Sequence, residues 1–354
     1  MRKNQVVDRG DLIRVPTVVT ICYQDKEDAR SENDVTVAVD RLTKYFNKEP
    51  EQWDSGRGLY SGGLEKVYQD HKDLAASANI KFDLVHTRYR NLGPVSGTEP
   101  NTIDWVVKRR LPALYPRNAL NIWVVDIPGG LLGYAQFASE GADDTDGVVI
   151  NRAAFGPRAE FSQFNLDATL AHEVGHWMEL LHTFQDTFNY TDSIEDKGSQ
   201  GSIGDKVSDT PPQAEPTTGN VYETPNNWHA TQPRGEPRAY LAMQNNVMNY
   251  TDDVCLFILT AGQVVRMRQA MLIYRSEITS NPNWQYPGAT PTPEPVPTPE
   301  PVPTPEPVPT PEPVQGGQVM FIPQFLVQWI LNLFNSLGRE NLGRLNAEYL
   351  ARLE

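Results

Sequence analysis

The stretch HEVGHWMELLH, residues 172–182, gathers three of the chain's six histidines and sets a glutamate directly after the first. On an α-helix, His172 and His176 lie one turn apart on one face, where two imidazoles reach a single zinc ion. Glu173 projects beside that face, placed to take a proton from metal-bound water and deliver it to a leaving amine. Two ligands and one base fixed by helical spacing are the physical content of the HExxH motif. His182 comes six residues after His176, so an unbroken helix would carry it away from the ion. It becomes a third ligand only if the helix stops and the chain turns near Glu179. The alternative is that His182 serves the helix C-terminus, where a cation meets the negative end of the macrodipole.

A second block lies downstream. NNVMNYTDDVC, residues 245–255, puts Met248 in an Asn-rich turn and Tyr250 two residues later. A helix follows, opened by a capping box of Thr260 and Gln263. A thioether beneath a metal site supplies a soft apolar floor, and a phenol beside it can hydrogen-bond an oxyanion. Taken singly, Met248 reads as core and Tyr250 as packing; their conjunction with the histidines points to a site.

These residues need a scaffold. VPTVVTICY is a β-branched run consistent with a buried strand, and IKFDLVH alternates like a half-covered one. Between them Val35, Val39, Leu42 and Phe46 form the apolar stripe of a helix capped near Asn33 or Asp34. NTIDWVVKRRL reads as a second helix with Asn101 as its cap. ALNIWVVDI, LLGYAQFA and GVVI follow as short strands separated by Pro128, Gly129, Gly130 and an acidic loop. Asp167 is placed to cap the histidine helix, with Leu170, Val174 and Leu181 toward the core. The expectation is one α/β domain in which that helix lies against a sheet.

The blocks HEVGHWMELLHTF, GDKVSDTPPQ and NNVMNYTDDVCLFILTAGQVVRM, with LNIWVVDIPGGLLGYAQF and DGVVINRAAFG upstream, resemble the pappalysin family of metzincin metallopeptidases from about Arg14 to Arg275. The resemblance implies an α/β (α+β) metzincin fold: a twisted mixed sheet, an active-site helix and a Met-turn. It implies a zinc endopeptidase acting on extended protein or peptide substrates. His172, His176 and His182 would be the Zn2+ ligands, Glu173 the general base, Met248 the Met-turn methionine and Tyr250 the group that stabilises the tetrahedral intermediate. LLGYAQFA would be the edge strand above the cleft, with Leu132, Gly133, Tyr134 and Ala135 binding substrate backbone by strand addition. GDKVSDTP resembles a loop that carries structural calcium in some relatives, which makes Asp205 and Asp209 candidate Ca2+ ligands; an acidic turn looks the same without an ion. Asp252 and Asp253, beside the Met-turn, are candidates for favouring a basic residue just after the scissile bond.

The chain departs from the family pattern at Glu179, where members usually carry Gly or Asn. A glutamate in left-handed geometry costs about 1–2 kcal/mol. Relatives commonly place disulfide cysteines around the DTP region, whereas Cys255 has no evident partner and Cys22 reads as a small core residue. With two cysteines in all, the fold cannot rest on a disulfide framework.

The whole chain sets further bounds. Its 354 residues carry a net charge of -14 and a pI near 4.9, which argues against nucleic-acid binding because phosphates need clustered Lys and Arg. Four segments are expected: an N-terminal extension at 1–13, the catalytic domain at 14–286, a TPEPVP-repeat spacer at 287–317 and an amphipathic helical tail at 318–354. Proline holds the spacer near polyproline II, on the order of 70 Å long at about 3.1 Å per residue. In the tail, Phe325, Leu326, Trp329, Ile330, Leu333 and Leu337 share a wide apolar face. Such a tail can oligomerise, or attach to another protein or a membrane surface, and its apolar run is too short and too often interrupted to span a bilayer. The resemblance points to an extracellular protein, yet no apolar run of signal-peptide length follows the basic N-terminus, and no upstream pro-segment is expected. The function expected is zinc-dependent peptide hydrolysis. The alternative is a non-catalytic zincin scaffold displayed on the spacer and tail; the intact Glu173 beside intact histidines weighs for catalysis.

Overall fold

The structure is a computed structural model that describes residues 8–49, 72–93, 100–185, 205–210, 216–220 and 244–287. Five strands make the central sheet: β1 (Ile13–Tyr23), β2 (Ile80–Asn91), β3 (Leu120–Val125), β4 (Gly133–Ala135) and β5 (Val148–Asn151). Their order is β2-β1-β3-β5-β4. The first four in that order are parallel, and β4 alone runs antiparallel, against β5. Parallel strands are covered on both faces, and their sequences read accordingly as near-continuous apolar runs.

Side chains alternate across the sheet and separate two cores. Val19, Ile21, Ile122, Val124, Val148 and Ile150 face one side, where they join the main hydrophobic cluster. Cys22, Trp123, Val125 and Val149 face the other. The first side is covered by helix α1 (Glu32–Phe46) and the histidine helix α3 (Ala168–Trp177). The second is covered from helix α2 (Pro100–Val106) and the residues after it, which contribute Ile103 and Val107.

Local chemistry explains where these elements start, and it corrects three expectations. Helix α1 is capped two or three residues earlier than Asn33 or Asp34: Ser31 is its cap, with Ser31 Oγ accepting from Asp34 N and Asp34 Oδ2 accepting from Ser31 N. A two-way capping box satisfies two orphan donors where a lone Asx cap satisfies one. Helix α2 already includes Pro100, so Asn101 lies inside it, and it ends at Val106, short of the expected extent. Asp167 flanks α3 at φ 62° but makes no side-chain cap; its carboxylate is taken by Arg41 Nη1 at 2.8 Å and Gly156 N at 2.6 Å. Asp253 fills the vacant role, its Oδ2 accepting from Leu166 N and Ala168 N at 2.8 and 3.2 Å.

The remaining described elements are β6 (Thr218–Gly219) paired with β7 (Tyr250–Thr251), then α4 (Ala261–Tyr274) and α5 (Ser276–Ser280). Cys22 and Cys255 are both buried. Among the described residues no helix is long and apolar enough to cross a membrane. The extension up to residue 7, the spacer from 288 and the tail lie outside the described residues.

Candidate active site

Helix α3 carries His172, Glu173 and His176, all less than a tenth exposed. It stops at Trp177 in a Schellman turn: Leu180 N donates to Gly175 O at 2.9 Å and Glu179 N to His176 O at 2.8 Å. That motif needs a left-handed residue just past the cap, and Glu179 supplies it at φ 74°. The chain therefore reverses where the third-ligand reading requires, despite the strain of a non-glycine residue. Arg266 Nε helps to hold the turn by donating to Glu179 O at 2.6 Å.

The reversal brings His182 back to its partners. Nε2 of His182 lies 3.1 Å from Nε2 of His172 and 3.1 Å from Nε2 of His176, with His172 and His176 3.2 Å apart. The outer nitrogens fix the tautomers. His172 Nδ1 donates to Val247 O and His176 Nδ1 to Leu180 O, each at 2.7 Å. A carbonyl only accepts, so Nδ1 carries the proton and Nε2 turns a lone pair inward. Gln185 hydrogen-bonds His182.

Burial depresses all three imidazoles, His172 to about 4 and His176 to about 3, with His182 well below its usual value. They face one another neutral, as lone pairs that repel unless a cation lies between. Three nitrogens about 2.0–2.1 Å from a tetrahedral zinc stand roughly 3.3 Å apart, close to the separations here. The donor set thus fits zinc. Among the described residues, no other group of three His, Cys, Asp or Glu side chains converges in this way.

Aromatic rings frame the triad. Phe184 stacks on His182 at 4.8 Å between centroids, and Tyr250 stands edge-on to both rings. Tyr250 Oη is 3.0 Å from His182 Nε2, which places the phenol at the metal position. Phe137 lies against His176 from the other side, at 5.2 Å. Sequence reading missed Phe137 and Phe184. Phe184, two residues past the last histidine, carried a faint positional signal; Phe137 carried none.

Met248 is fully buried. A Cβ added at Gly175 would come within 2.6 Å of Met248 Sδ, so the methionine packs directly under the helix. Its turn is fixed to α4 by a reciprocal pair, Asn246 Nδ2 to Gln263 Oε1 at 2.8 Å and Gln263 Nε2 to Asn246 Oδ1 at 3.0 Å. Gln263 completes the α4 capping box with Thr260, as its sequence suggested.

Glu173 is buried, and desolvation pushes its carboxyl up to about 8. Gly133 makes room for it: a Cβ there would meet Glu173 Cγ at 2.9 Å and Val149 O at 2.8 Å. Strand β4 ends the sheet order, so its outer edge lies beside this helix with no further strand among the described residues. Leu132 O accepts from Asn151 N, and Ala135 packs partly against the main core. Tyr134 turns to the opposite face, where its hydroxyl donates to Asp104 at 2.5 Å and Lys108 lies over its ring. By register Tyr134 lies opposite Val149 of β5, in line with the bonded positions 132 and 136, so Gly133 and Ala135 turn their backbone groups to the outer edge.

The acidic candidates separate. Asp253 is 1% exposed and holds the N-terminus of α3, which directs its carboxylate away from a cleft. Asp252 is half-buried. Asp209 receives Thr260 Oγ1 and Gly262 N, so both of its oxygens hold the start of α4. Asp205 is buried, and its Oδ1 accepts from Val207 N and Thr210 Oγ1. Its Oδ2 has no hydrogen-bond partner among the described residues, and burial pushes the carboxyl up to about 6.

Comparison with known proteins agrees with this geometry. The Peptidase_M43 model, described as "Pregnancy-associated plasma protein-A", matches residues 116–272. An extracellular metalloprotease of Pyricularia oryzae is 35% identical over 164 residues, 44% of this chain and 50% of that protein. One from Verticillium alfalfae is 29% identical over 226 residues, 60% of this chain and 71% of its own length. The chain thus spans from about half to seven-tenths of these relatives. Mature mirolysin of Tannerella forsythia, solved with a cleaved peptide, superposes with a TM-score of 0.55 at 26% identity, covering 76% of this chain and 98% of that one. Residues 116–272 thus resemble the pappalysin family of metallopeptidases, and the fold that carries the three histidines resembles that of mature mirolysin.

Proposed function

We propose that the chain is a secreted zinc-dependent endopeptidase that hydrolyses peptide bonds in extended protein or peptide substrates. The observation that carries this reading is the convergence of three inward lone pairs at 3.1–3.2 Å. His172, His176 and His182 would hold the zinc, which when bound supplies Lewis acidity toward the scissile carbonyl and acidifies water. Glu173, buried and next in the chain to His172, is placed to take the proton of an attacking water and give it to the departing amine. Tyr250 donates its hydroxyl to the oxygen that gains charge. The outer edge of β4 pairs with the substrate backbone as an added strand, and Asp252 favours a basic residue after the scissile bond. Extracellular names among the relatives support secretion.

Calcium is the finer part of the reading. Asp205, with one buried oxygen left over, is the better candidate ligand; Asp209 is committed to α4. The test is digestion of an unfolded protein with and without a chelator. The reading expects cleavage to stop on chelation and return on adding zinc, and cleavage that persists without metal would sink it.

A further inference from the structure

The carboxylate of Glu179 has a use that its place in the turn does not require. It accepts both donors of Ser139, the backbone N–H at 3.0 Å and the hydroxyl at 2.9 Å. Ser139 lies in the short turn Ala138–Glu140 that the chain enters on leaving β4. That turn is closed on itself, with Phe137 N donating to Glu140 Oε2 at 2.9 Å and Glu140 N to Phe137 O at 3.1 Å. It moves as a unit, therefore, and carries Phe137, whose ring rests 5.2 Å from His176.

Three separate parts of the molecule thus meet at one residue. The Glu179 backbone makes the left-handed turn that returns His182, its carbonyl takes Arg266 of α4, and its side chain takes the exit of β4. A glycine, which the turn geometry alone would favour, could do the first two and not the third. Behind the sheet, Tyr134 is tied through Asp104 to α2, so β4 is anchored from the back at its centre and from the front at its exit.

We propose that Glu179 is a positioning residue: through Ser139 it locks the exit of the substrate-binding strand, and Phe137 with it, to the turn that carries the metal ligands. An extended peptide laid along β4 is thereby held in register with the three histidines. This rests on the peptidase reading above and concerns substrate binding, not the chemical step.

The test compares wild type, Glu179→Gly, Ser139→Ala and the double variant. Substrates are an extended peptide of about eight residues and a short one that does not reach past Phe137. Glu179→Gly should keep one zinc and its thermal midpoint, because glycine suits the turn. Its KM for the long peptide should rise about 3–10-fold, with kcat within about twofold and the short peptide unaffected. Ser139→Ala should give a smaller rise, and the double variant should be no worse than Glu179→Gly. Glu179→Gln, which keeps one acceptor oxygen, should recover part of the loss. Amide exchange at Gln136 and Phe137 is read alongside and should quicken at least threefold in Glu179→Gly. An unchanged KM for the long peptide, or effects of Glu179 and Ser139 that simply add, would overturn the proposal. If wild type cleaves nothing, the peptidase reading has failed and exchange decides the clamp alone: quicker exchange upholds it and unchanged exchange ends it.

Discussion

Glycines at two positions are worth more to the site than their size suggests. Gly133 leaves the space into which Glu173 Cγ fits, and Gly175 leaves the space for Met248 Sδ. Gly133→Ala should therefore push the base off position: kcat falls by about tenfold or more while one zinc stays bound, since a misplacement of about 1 Å can cost on that order. Metal analysis beside steady-state kinetics reads this, and unchanged kcat would contradict it. Gly175→Ala should instead act on stability, by about 1–3 kcal/mol through overpacking against the methionine, measured by denaturant unfolding. The histidines make a prediction about pH. Burial holds His172 near 4 and His176 near 3 in the metal-free fold, while in the unfolded chain they protonate near 6.5. Between those values the unfolded state takes up protons that the folded state refuses, so their contribution to stability is present above 6.5 and is lost as pH falls toward 4. Compared with His172→Asn, metal-stripped wild type should lose more of its thermal midpoint between pH 7 and 4.5; an equal or smaller loss would contradict the burial account.

Elements are held to the site by buried ionic contacts, and these were the least visible features in the sequence. Asp146 receives both Nη atoms of Arg275 at 2.5 and 2.8 Å and the indole N–H of Trp177 at 3.1 Å, with Arg275 lying over the Trp177 ring. The end of α3 is thus joined to α4 and to the loop before β5. Asp146→Ala would leave a guanidinium buried without its partner, and about 3–5 kcal/mol of stability should be lost; a loss under 1 kcal/mol would show that water reaches the site. The same reasoning explains what sequence could and could not reveal. His172, Glu173 and His176 were legible because helical spacing is local, and the α4 capping box because its two residues sit three apart. Asp253 displaced Asp167 at the start of α3 because Arg41, far away in sequence, claims the nearer carboxylate. The strain expected at Glu179 is present at φ 74°, but its Ser139 contact spans 40 residues and leaves no mark in either local pattern.

At the scale of the whole molecule, the sheet brings the histidine helix and the edge strand together from distant stretches of chain, all of them ahead of the Pro-rich spacer and the tail. Those segments lie outside the described residues, and the reading that the tail tethers or oligomerises the enzyme rests on their sequence alone. Removing everything after Pro287 should leave kcat/KM for a small peptide within about twofold of the full chain. A large loss would place the tail in the working unit. The fold class was legible because the strands of the central sheet and the longer helices carried apolar runs or stripes of their own, whereas β6, β7 and α5 left no such signal; the parallel order and the antiparallel edge depend on which distant strands pair, and only the family resemblance anticipated a mixed sheet.

The most direct test of the central claim is to prepare Glu173→Gln and measure, on one sample, bound zinc and cleavage of an unfolded protein. The account predicts one zinc per chain, as in wild type, and cleavage reduced by at least about a thousandfold, because the three imidazoles survive while the proton carrier does not. Near wild-type cleavage by that variant, or a wild type that binds zinc and cleaves nothing, would contradict it.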